Sequence, residues 1–351
     1  MNLSLQGNKI NTKSDYNRIY LYDNIKFVAI FLVVIGHAID FLTQERGNYL
    51  EKSLFLTIYS VHMPLFIFVS GLFVRPMDKS AKFPKQKVLS FILIGIAIRI
   101  FSSVLRLILG MKPKFAVFDM YDTYAWFMWA IAVFTVIVWV FRYCDIKILL
   151  IFSILLGIMV GYDKFLGDEF ALMRIFVFLP FFIIGYMLSP ENLAKIFSKR
   201  WLKIISFAVI VIILSCFFFD QHFYKYLRPM FTGRNNYYVF DDCYSFGFVF
   251  RIIAYVISGV LGFAVMCLVP DRNLGFFSSI GAKTLQIYFW HKMFLIVLEE
   301  FKFYDAVASL TGDIFATCIY VLTAIAITLI CSIELFSFPT KQLLSFATKQ
   351  K

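Results

Sequence analysis

A series of long apolar segments constrains this chain more than any other feature of its sequence. About ten of them are long enough to cross roughly 30 Å of hydrocarbon as helices. They cover residues 25–43, 54–74, 88–110, 124–141, 146–161, 170–188, 202–219, 246–269, 281–299 and 313–335. In composition, 61% of the residues are hydrophobic and 16% charged, against about 45–50% and about 25% in soluble domains. The sequence therefore predicts an all-α fold, a polytopic transmembrane bundle of about ten helices.

The positions of the lysines and arginines predict the orientation of this bundle. With the N-terminus inside, the inner connections hold twenty of the 34 basic residues and the outer ones nine, the usual asymmetry of membrane proteins. We expect a single domain over 1–351 in the cell membrane, with cytoplasmic tails over 1–24 and 336–351. Topology and contact with anionic membrane lipids also account for the net charge of +12, so we expect no nucleic-acid partner.

The motifs of common soluble enzymes are missing from the sequence. The six cysteines include no CxxC pair, which argues against a disulfide framework and against a zinc site. Glycine-rich phosphate loops, GxSxG and HExxH are absent as well. We therefore expect no metal site and no tightly bound cofactor.

Three of the four histidines lie inside predicted spans. His37, His62 and His291 each fall a few residues from the outer end of their segment, roughly 9–12 Å deep at 1.5 Å per residue. A single histidine there is most simply a packed side chain bonded to a neighbouring helix. Three at a common depth favour a shared polar site, and we take all three as candidate catalytic residues.

Buried cations are the second polar feature of the spans. Placing Arg or Lys at the centre of a span costs on the order of 3 kcal/mol, so such residues usually face a cavity. Arg99 lies near mid-span, and Arg174 and Arg251 lie about one turn from the outer end. Structural ion pairs would explain each of them about as well. Together they predict an anion-binding cavity, with Arg174 and Arg251 as substrate-binding candidates.

Within the first segment, Lys26 and His37 are eleven residues apart, about 20° beyond three full helical turns. They share one helix face and are separated by roughly 16 Å. That is about the reach of a long acyl-carrier arm whose phosphates rest on a cation while its thioester meets a base. Asp23 lies one turn before Lys26, where it can orient that lysine, and we include it among the substrate-binding candidates.

Five stretches, in order along the chain, resemble one family. The stretch with Lys26 and His37 reads "YLYDNIKFVAIFLVVIGHA". It resembles the opening helix of the acyltransferase type 3 family, integral-membrane acyltransferases that modify sugars. Later helices of that family are similar to "VHMPLFIFVSGLF" (61–73), "YAWFMWAI" (124–131), "FLPFFIIGYML" (178–188) and "IGAKTLQIYFWH" (280–291). The set is most similar to the fucose-4-O-acetylase-like branch.

The resemblance implies O-acyl transfer, most often of acetyl, from cytoplasmic acyl-CoA to a sugar hydroxyl of a cell-surface or lipid-linked glycan. It implies that His37 is the general base and that Lys26 holds the donor. Many relatives carry Arg-x-x-x-Arg at the inner end of the third helix. This chain has Lys85 and Lys87 there, with Arg99 further along. We take these three as further donor-binding candidates, although lysine lacks the bidentate fork of arginine.

Two other functions fit the same residues. A transporter or flippase for a sugar or lipid-linked glycan would also use buried cations and histidines, but the two similar halves typical of transporters are not seen. A regulatory membrane protein with a degenerate site is the third possibility, because the paired arginines are missing. The long outer connection over 220–245 mixes aromatic residues with Asp, Asn and Arg. It suits either a sugar-binding loop or a capping loop.

Overall fold

The computed structural model describes residues 19–45, 47–74, 76–114, 124–166 and 170–346. Within these ranges it holds sixteen α-helices and no strand, so the predicted all-α fold is confirmed. The helices are α1 (Tyr20–Glu45), α2 (Tyr49–Tyr59), α3 (His62–Leu72), α4 (Lys85–Ile108), α5 (Trp126–Val140), α6 (Ile146–Met159), α7 (Leu172–Met187), α8 (Pro190–Phe197), α9 (Arg200–Phe219), α10 (His222–Thr232), α11 (Gly247–Leu268), α12 (Phe276–Ala282), α13 (Thr284–Glu300), α14 (Phe303–Thr311), α15 (Asp313–Cys331) and α16 (Thr340–Phe346). Short 3-10 turns cover Val160–Tyr162, Tyr237–Phe246 and Glu334–Ser337.

Each of the ten predicted segments contains a helix of this bundle. Among the described residues, six stretches are long and apolar enough to span a membrane: Tyr20–Gln44, Tyr49–Leu72, Lys85–Ile108, Arg200–Phe219, Tyr237–Leu268 and Asp313–Cys331. The pair α7 and α8, which meet at a bend of 91°, makes a seventh if it counts as one span. The helices α5 and α6 are apolar but shorter. The chain is thus a multi-helix membrane protein, while the count of ten spans and the cytoplasmic termini stay predictions.

The second predicted segment, 54–74, is broken in the middle. It consists of α2 and α3, which are joined at Ser60 and Val61. Pro64 explains the break, because proline has no N–H for the carbonyl of Ser60 and its ring clashes with that carbonyl. The break makes His62 the first residue of α3.

A buried carboxylate fixes the start of α2. The side chain of Asn48 accepts from the backbone N–H of Glu51, and the Glu51 carboxylate accepts from that of Asn48, which is a capping box. The hydroxyls of Tyr304 and Thr317 also donate to Glu51, at 3.0 and 2.9 Å. Burial raises the pKa of Tyr304 to about 12, so this donor keeps its proton at neutral pH. The contacts connect α2, α14 and α15 at one end of the bundle.

The helices around the site pack closely. α1 lies at the centre and contacts α2, α3, α12, α13 and α15. α3 crosses α7 at two glycines, where a Cβ on Gly71 would collide with the carbonyl of Phe182 and one on Gly185 with that of Phe68. Small residues at a crossing let two membrane helices approach backbone to backbone. This crossing holds α3 in place beside α1.

Two segments predicted as connections are folded against the bundle. Within 220–245, α10 packs on α2 and α11 and buries Leu227, Met230 and Phe231. Near the C-terminus, α16 packs on α4, where the Ser90 hydroxyl donates to the carbonyl of Leu343 at 3.0 Å. The remaining parts of the two predicted tails, residues 1–18 and 347–351, lie outside the described residues.

Candidate active site

Two cavities lie along the face of α1 that the eleven-residue spacing predicted. The Lys26 cavity, of about 310 Å³, is lined by Lys26, Lys87, Phe127, Thr284 and Tyr288 among others. The His37 cavity, of about 240 Å³, is lined by residues that include His37, His62, Tyr124, Arg174 and Tyr288. Tyr288 lines both, so the two cavities meet at this side chain.

The order of residues along five helices shows that the cavities lie end to end. On α3 the first turn, with His62, lines the His37 cavity, and Phe66, Val69 and Ser70 further along line the Lys26 cavity. The helix α13 runs the other way, from Thr284 at the Lys26 cavity to Glu299 at the His37 cavity. The helices α1, α4 and α5 also line both. Residues of each helix about four apart recur on one face, so one stripe of each helix borders both cavities.

The three predicted histidines come together at the His37 cavity. His37 and His62 line it. His291 is fully buried directly behind, with its ring centroid 5.3 Å from that of His37. The Tyr124 ring lies beside both, 5.4 Å from His291 and 6.5 Å from His37. In the described part of the chain, no three His, Cys, Asp or Glu side chains are grouped so that they could hold a metal ion.

Backbone carbonyls determine which ring nitrogen carries the proton in two of these histidines. His62 Nδ1 lies 2.8 Å from the Ile58 carbonyl, and His291 Nδ1 lies 2.8 Å from the Tyr288 carbonyl. A carbonyl only accepts, so Nδ1 donates and Nε2 keeps its lone pair. His291 Nε2 is buried without a hydrogen-bond partner among the described residues. In the neutral form of either ring, Nε2 is therefore the acceptor.

Charged side chains surround the histidines. Arg174, one of the predicted substrate-binding residues, is 6% exposed and lines the cavity with its guanidinium carbon 5.0 Å from the Trp126 ring. Lys292 and Glu299 lie two turns apart on one face of α13, form an ion pair at 2.6 Å and both line the cavity. The structure thus combines histidines and cations in one space, as an anion-binding cavity requires.

Two predicted cations lie elsewhere. Arg251 is 1% exposed and donates from its guanidinium to the Met230 carbonyl at 2.6 Å, which ties α11 to α10. Arg99 is buried in α4 outside the linings of both cavities. Arg106, two turns further along α4, lines the His37 cavity instead. Whether Arg251 binds substrate or Arg99 binds donor stays a prediction, to which these positions add no support.

The donor-binding candidates lie at the opposite end of the site. Lys26 forms an ion pair with Asp23 at 2.7 Å and keeps 28% of its side chain exposed. Its Nζ also lies 5.9 Å from the ring centroid of Phe73. Lys87 lines the same cavity, whereas Lys85 is exposed and lies outside its lining. The expected contact of Asp23 with Lys26 is present, so this carboxylate orients the lysine.

Sequence reasoning missed the residue that separates the cavities. The Tyr288 hydroxyl donates to the Tyr124 carbonyl, and the Tyr124 hydroxyl donates to the Phe289 carbonyl at 2.9 Å. The Phe127 ring packs on Tyr288 with a centroid distance of 5.3 Å. One signal was available, because Tyr288 lies midway between Thr284 and Lys292 on one face of α13. Among nineteen tyrosines, that spacing alone did not distinguish it from a core residue.

One of the comparisons with known proteins found a match. A family model for the acyltransferase domain of type 3 matches residues 19–333, most of the 351-residue chain. The chain matches no curated protein and no solved structure. The matched region begins just before α1 and ends just after α15. It contains the three clustered histidines, the lining of the His37 cavity and, except for Leu344 on α16, that of the Lys26 cavity. The chain therefore belongs to the acyltransferase type 3 family and is a membrane acyltransferase.

Proposed function

We propose that this protein is an O-acyltransferase, with acetyl-CoA as its first-choice donor and a sugar hydroxyl as acceptor. The donor enters through the Lys26 cavity, and the acceptor binds in the His37 cavity. One observation carries the proposal: the two cavities meet at Tyr288, with Lys26 in one and His37 in the other on one face of α1. The two side chains are roughly 16 Å apart along the helix, so an extended donor arm reaches from one to the other.

The Lys26 cavity suits the donor in shape and charge. Lys26 and Lys87 supply positive charge for the donor phosphates, although as point charges without a bidentate fork. Phe66, Phe91 and Phe127 supply apolar walls for a long, thin arm. A cavity of this kind holds the charged end of acyl-CoA near Lys26 and directs its thioester toward Tyr288.

His37 is the general base in the proposed reaction. Its neutral imidazole takes the proton of the sugar hydroxyl while the hydroxyl oxygen attacks the carbonyl carbon of the thioester. The carbon–sulfur bond then breaks, and the CoA sulfur leaves and takes up the proton from His37. His62 and His291 present lone pairs and cannot donate to the oxyanion in this tautomer. The cationic side chains of Arg174 and Lys292 line the cavity and can stabilise the oxyanion instead.

The proposal includes an orientation and an acceptor class. The end of the bundle with Lys26 faces the cytoplasm, where acyl-CoA is available, and the end with Arg234 faces outward across the cell membrane. The acceptor is a cell-surface or lipid-linked glycan, in line with the similarity to the fucose-4-O-acetylase-like branch. Membership of an acyltransferase family favours this reaction over sugar transport.

Reconstitution of the purified chain in liposomes tests the reaction. Acetyl-CoA labelled in its acetyl group is supplied on one side, together with free and lipid-linked oligosaccharides. We expect label bound covalently to glycan and an equal amount of free CoA. Glycan that crosses the membrane without label would support a transporter instead, and neither transfer nor transport would support a degenerate site.

A further inference from the structure

A third cavity adjoins the His37 cavity. This space, the Lys302 cavity, measures about 330 Å³ and is lined by residues that include Phe41, Glu299, Lys302 and Asp305. Phe41 and Glu299 also line the His37 cavity. These two side chains therefore lie at the boundary between the two spaces, and a ligand in one cavity can continue into the other.

Two helices place the three cavities in a line. On α1, Lys26 lines the first cavity, His37 the second, and Phe41 the second and third. Phe41 follows His37 by four residues, so it lies on the same helix face about 6 Å further along. On α13, Thr284 lines the Lys26 cavity, and Glu299 near the other end lines the His37 and Lys302 cavities. The Lys302 cavity thus lies beyond the His37 cavity, on the side away from the donor.

Contacts with neighbouring groups hold two walls of the Lys302 cavity in place. Tyr304, which is 4% exposed, lines the cavity and donates its hydroxyl to the buried carboxylate of Glu51 at 3.0 Å. The carboxylate of Glu299 is held by its ion pair with Lys292, at 2.6 Å. A cavity whose walls are already ordered loses little conformational entropy when a ligand binds.

The lining of the Lys302 cavity combines hydrogen-bonding groups with apolar surface. The Asp305 carboxylate can accept hydrogen bonds from sugar hydroxyls, and the Lys302 ammonium can donate to sugar oxygens. Phe41 and Leu298 supply apolar surface for the C–H face of a sugar ring. Lys302 and Asp305 are exposed, so the cavity opens to water beside them. Such a space suits one sugar unit of a chain that continues into solvent.

The His37 cavity alone is small for an acceptor that is part of a glycan. Its volume of about 240 Å³ lies below the roughly 300–1,000 Å³ of most small-molecule sites. A glycan that reacts at His37 must also leave this cavity, and in the proposed reaction the donor takes the side toward Lys26. We infer that the acceptor is an oligosaccharide and that the sugar next to the acylated unit binds in the Lys302 cavity. The inference rests on the proposed function, which places the acceptor in the His37 cavity.

The length of the acceptor tests the inference on the full chain in a neutral detergent, which gives ligands access to both ends of the site. The acceptors are oligosaccharides of one, two and three units, prepared by partial hydrolysis of the surface glycan of the cells that make the protein. With labelled acetyl-CoA as donor, we expect the acceptor KM to fall about tenfold from one unit to two, the worth of one or two hydrogen bonds. The third unit should add little, because it lies in solvent. Equal KM values for one and two units would overturn the inference.

Two variants locate the added unit. Lys302→Asn removes the ammonium and keeps a residue type that tolerates the positive φ of 50° at this position. It should reduce the tenfold advantage of two units over one to about threefold, by loss of one hydrogen bond. Leu298→Trp fills part of the cavity from a half-buried position outside the linings of the other two cavities, and it should abolish the advantage.

The matched control is Lys225→Asn, which changes an exposed lysine of α10 outside the three linings and should keep the tenfold advantage. A full advantage in both folded variants would overturn the inference, and so would an equal loss for one and two units. If Leu298→Trp does not fold, Lys302→Asn alone decides, because its side chain is exposed and packs in no core.

Binding measurements without donor separate this inference from the proposed function. Ligand-observed NMR with the same oligosaccharides should show the preference for two units and its reduction in Lys302→Asn, whether or not transfer occurs. Tighter binding of two units with no transfer to any acceptor would support the sugar site and contradict the proposed reaction. Transfer to one and two units with equal affinity would overturn the inference and leave the acyltransferase reaction intact.

Discussion

The Lys26 cavity and the His37 cavity border the same five helices but differ in the chemistry of their walls. Along α3 the lining changes from Phe66 and Val69 to His62, and along α13 from Leu285 to Lys292 and Glu299. The apolar side chains suit a long carrier arm, and the polar ones suit hydroxyls and their protons. In the proposed reaction, one stripe on each helix serves two ligands, because its residues change character at the level of Tyr288.

The largest effect is expected in the His37 cavity. His37→Gln keeps similar size and hydrogen bonding but provides no base near neutral pH, so transfer should fall by roughly 10²–10⁴. Acyl-CoA affinity should stay unchanged, because the donor phosphates bind in the other cavity. Steady-state kinetics and a donor-binding assay measure the two quantities.

The matched control is His222→Gln, which changes an exposed histidine at the start of α10 and should leave transfer unchanged. A folded His37→Gln protein with near wild-type turnover would refute the general-base role, and His62 or His291 would then be the next candidates. Far-UV circular dichroism and thermal unfolding confirm that each variant is folded.

The second prediction addresses the boundary between the cavities. Tyr288→Ala should join them and admit water to the thioester, so acetyl-CoA hydrolysis without acceptor should rise about tenfold, the effect of a barrier lowered by about 1.4 kcal/mol. Tyr288→Phe keeps the ring and should keep the separation. Release of free CoA in the absence of glycan is the measurement.

Loss of a buried ring also destabilises the fold, and Tyr320→Ala controls for this. Tyr320 is 1% exposed on α15 and lies outside the linings of both cavities. Its removal should lower the unfolding temperature without added hydrolysis. Hydrolysis that rises equally in both variants would show that Tyr288 has no special place between the cavities.

The third prediction concerns the donor end, where the effect is smaller. Lys26→Ala should raise the KM for acyl-CoA about tenfold with little change in kcat, because it removes binding common to ground and transition states. Lys26→Arg should retain most of the activity. Lys87→Ala should raise the KM by less, because Lys87 lies on α4. Only Lys26 lies on the face of α1 that also carries His37. Unchanged kinetics in Lys26→Ala would move the phosphate site elsewhere.

The control at this end is Lys82→Ala, which removes an exposed lysine from the connection before α4. It should leave the KM unchanged. Lys85→Ala tests the remaining lysine of the predicted donor group, and its exposed position outside the cavity lining predicts no effect. A KM raised by either variant would extend the donor site beyond the Lys26 cavity.

Contacts local to one helix could be predicted from the sequence, and contacts between distant segments could not. The shared face of Lys26 and His37 follows from helix geometry alone, and the Asp23 ion pair follows from its spacing of three. The common depth of the histidines also followed from span boundaries. The positions of Tyr288 and Arg234 in the lining of the His37 cavity were missed, because they depend on which helices and loops pack together.

The same reasoning explains why only one of the three buried arginines named from the sequence lines the His37 cavity. Depth in a span selected Arg174, which lines the His37 cavity, but also Arg251 and Arg99, which lie elsewhere. Depth gives the position of a residue along the membrane normal and not the direction in which its helix face points. That direction is set by packing, which a single sequence does not reveal.

The last prediction tests which cavity opens to the cytoplasm and should leave activity unchanged. Cys144 is exposed after α5 at the end of the bundle where Lys26 lies, and Cys243 is exposed near Arg234 at the opposite end. Variants that keep only one of these cysteines are treated with a membrane-impermeant maleimide on intact cells. Cys243 should be labelled at once, and Cys144 only after the membrane is permeabilised, because the lysine-rich connections favour the inner side. Labelling of Cys144 in intact cells would reverse the orientation and place the Lys26 cavity on the side without acyl-CoA. Two cavities that differ in chemistry would then no longer correspond to donor and acceptor sides of the membrane.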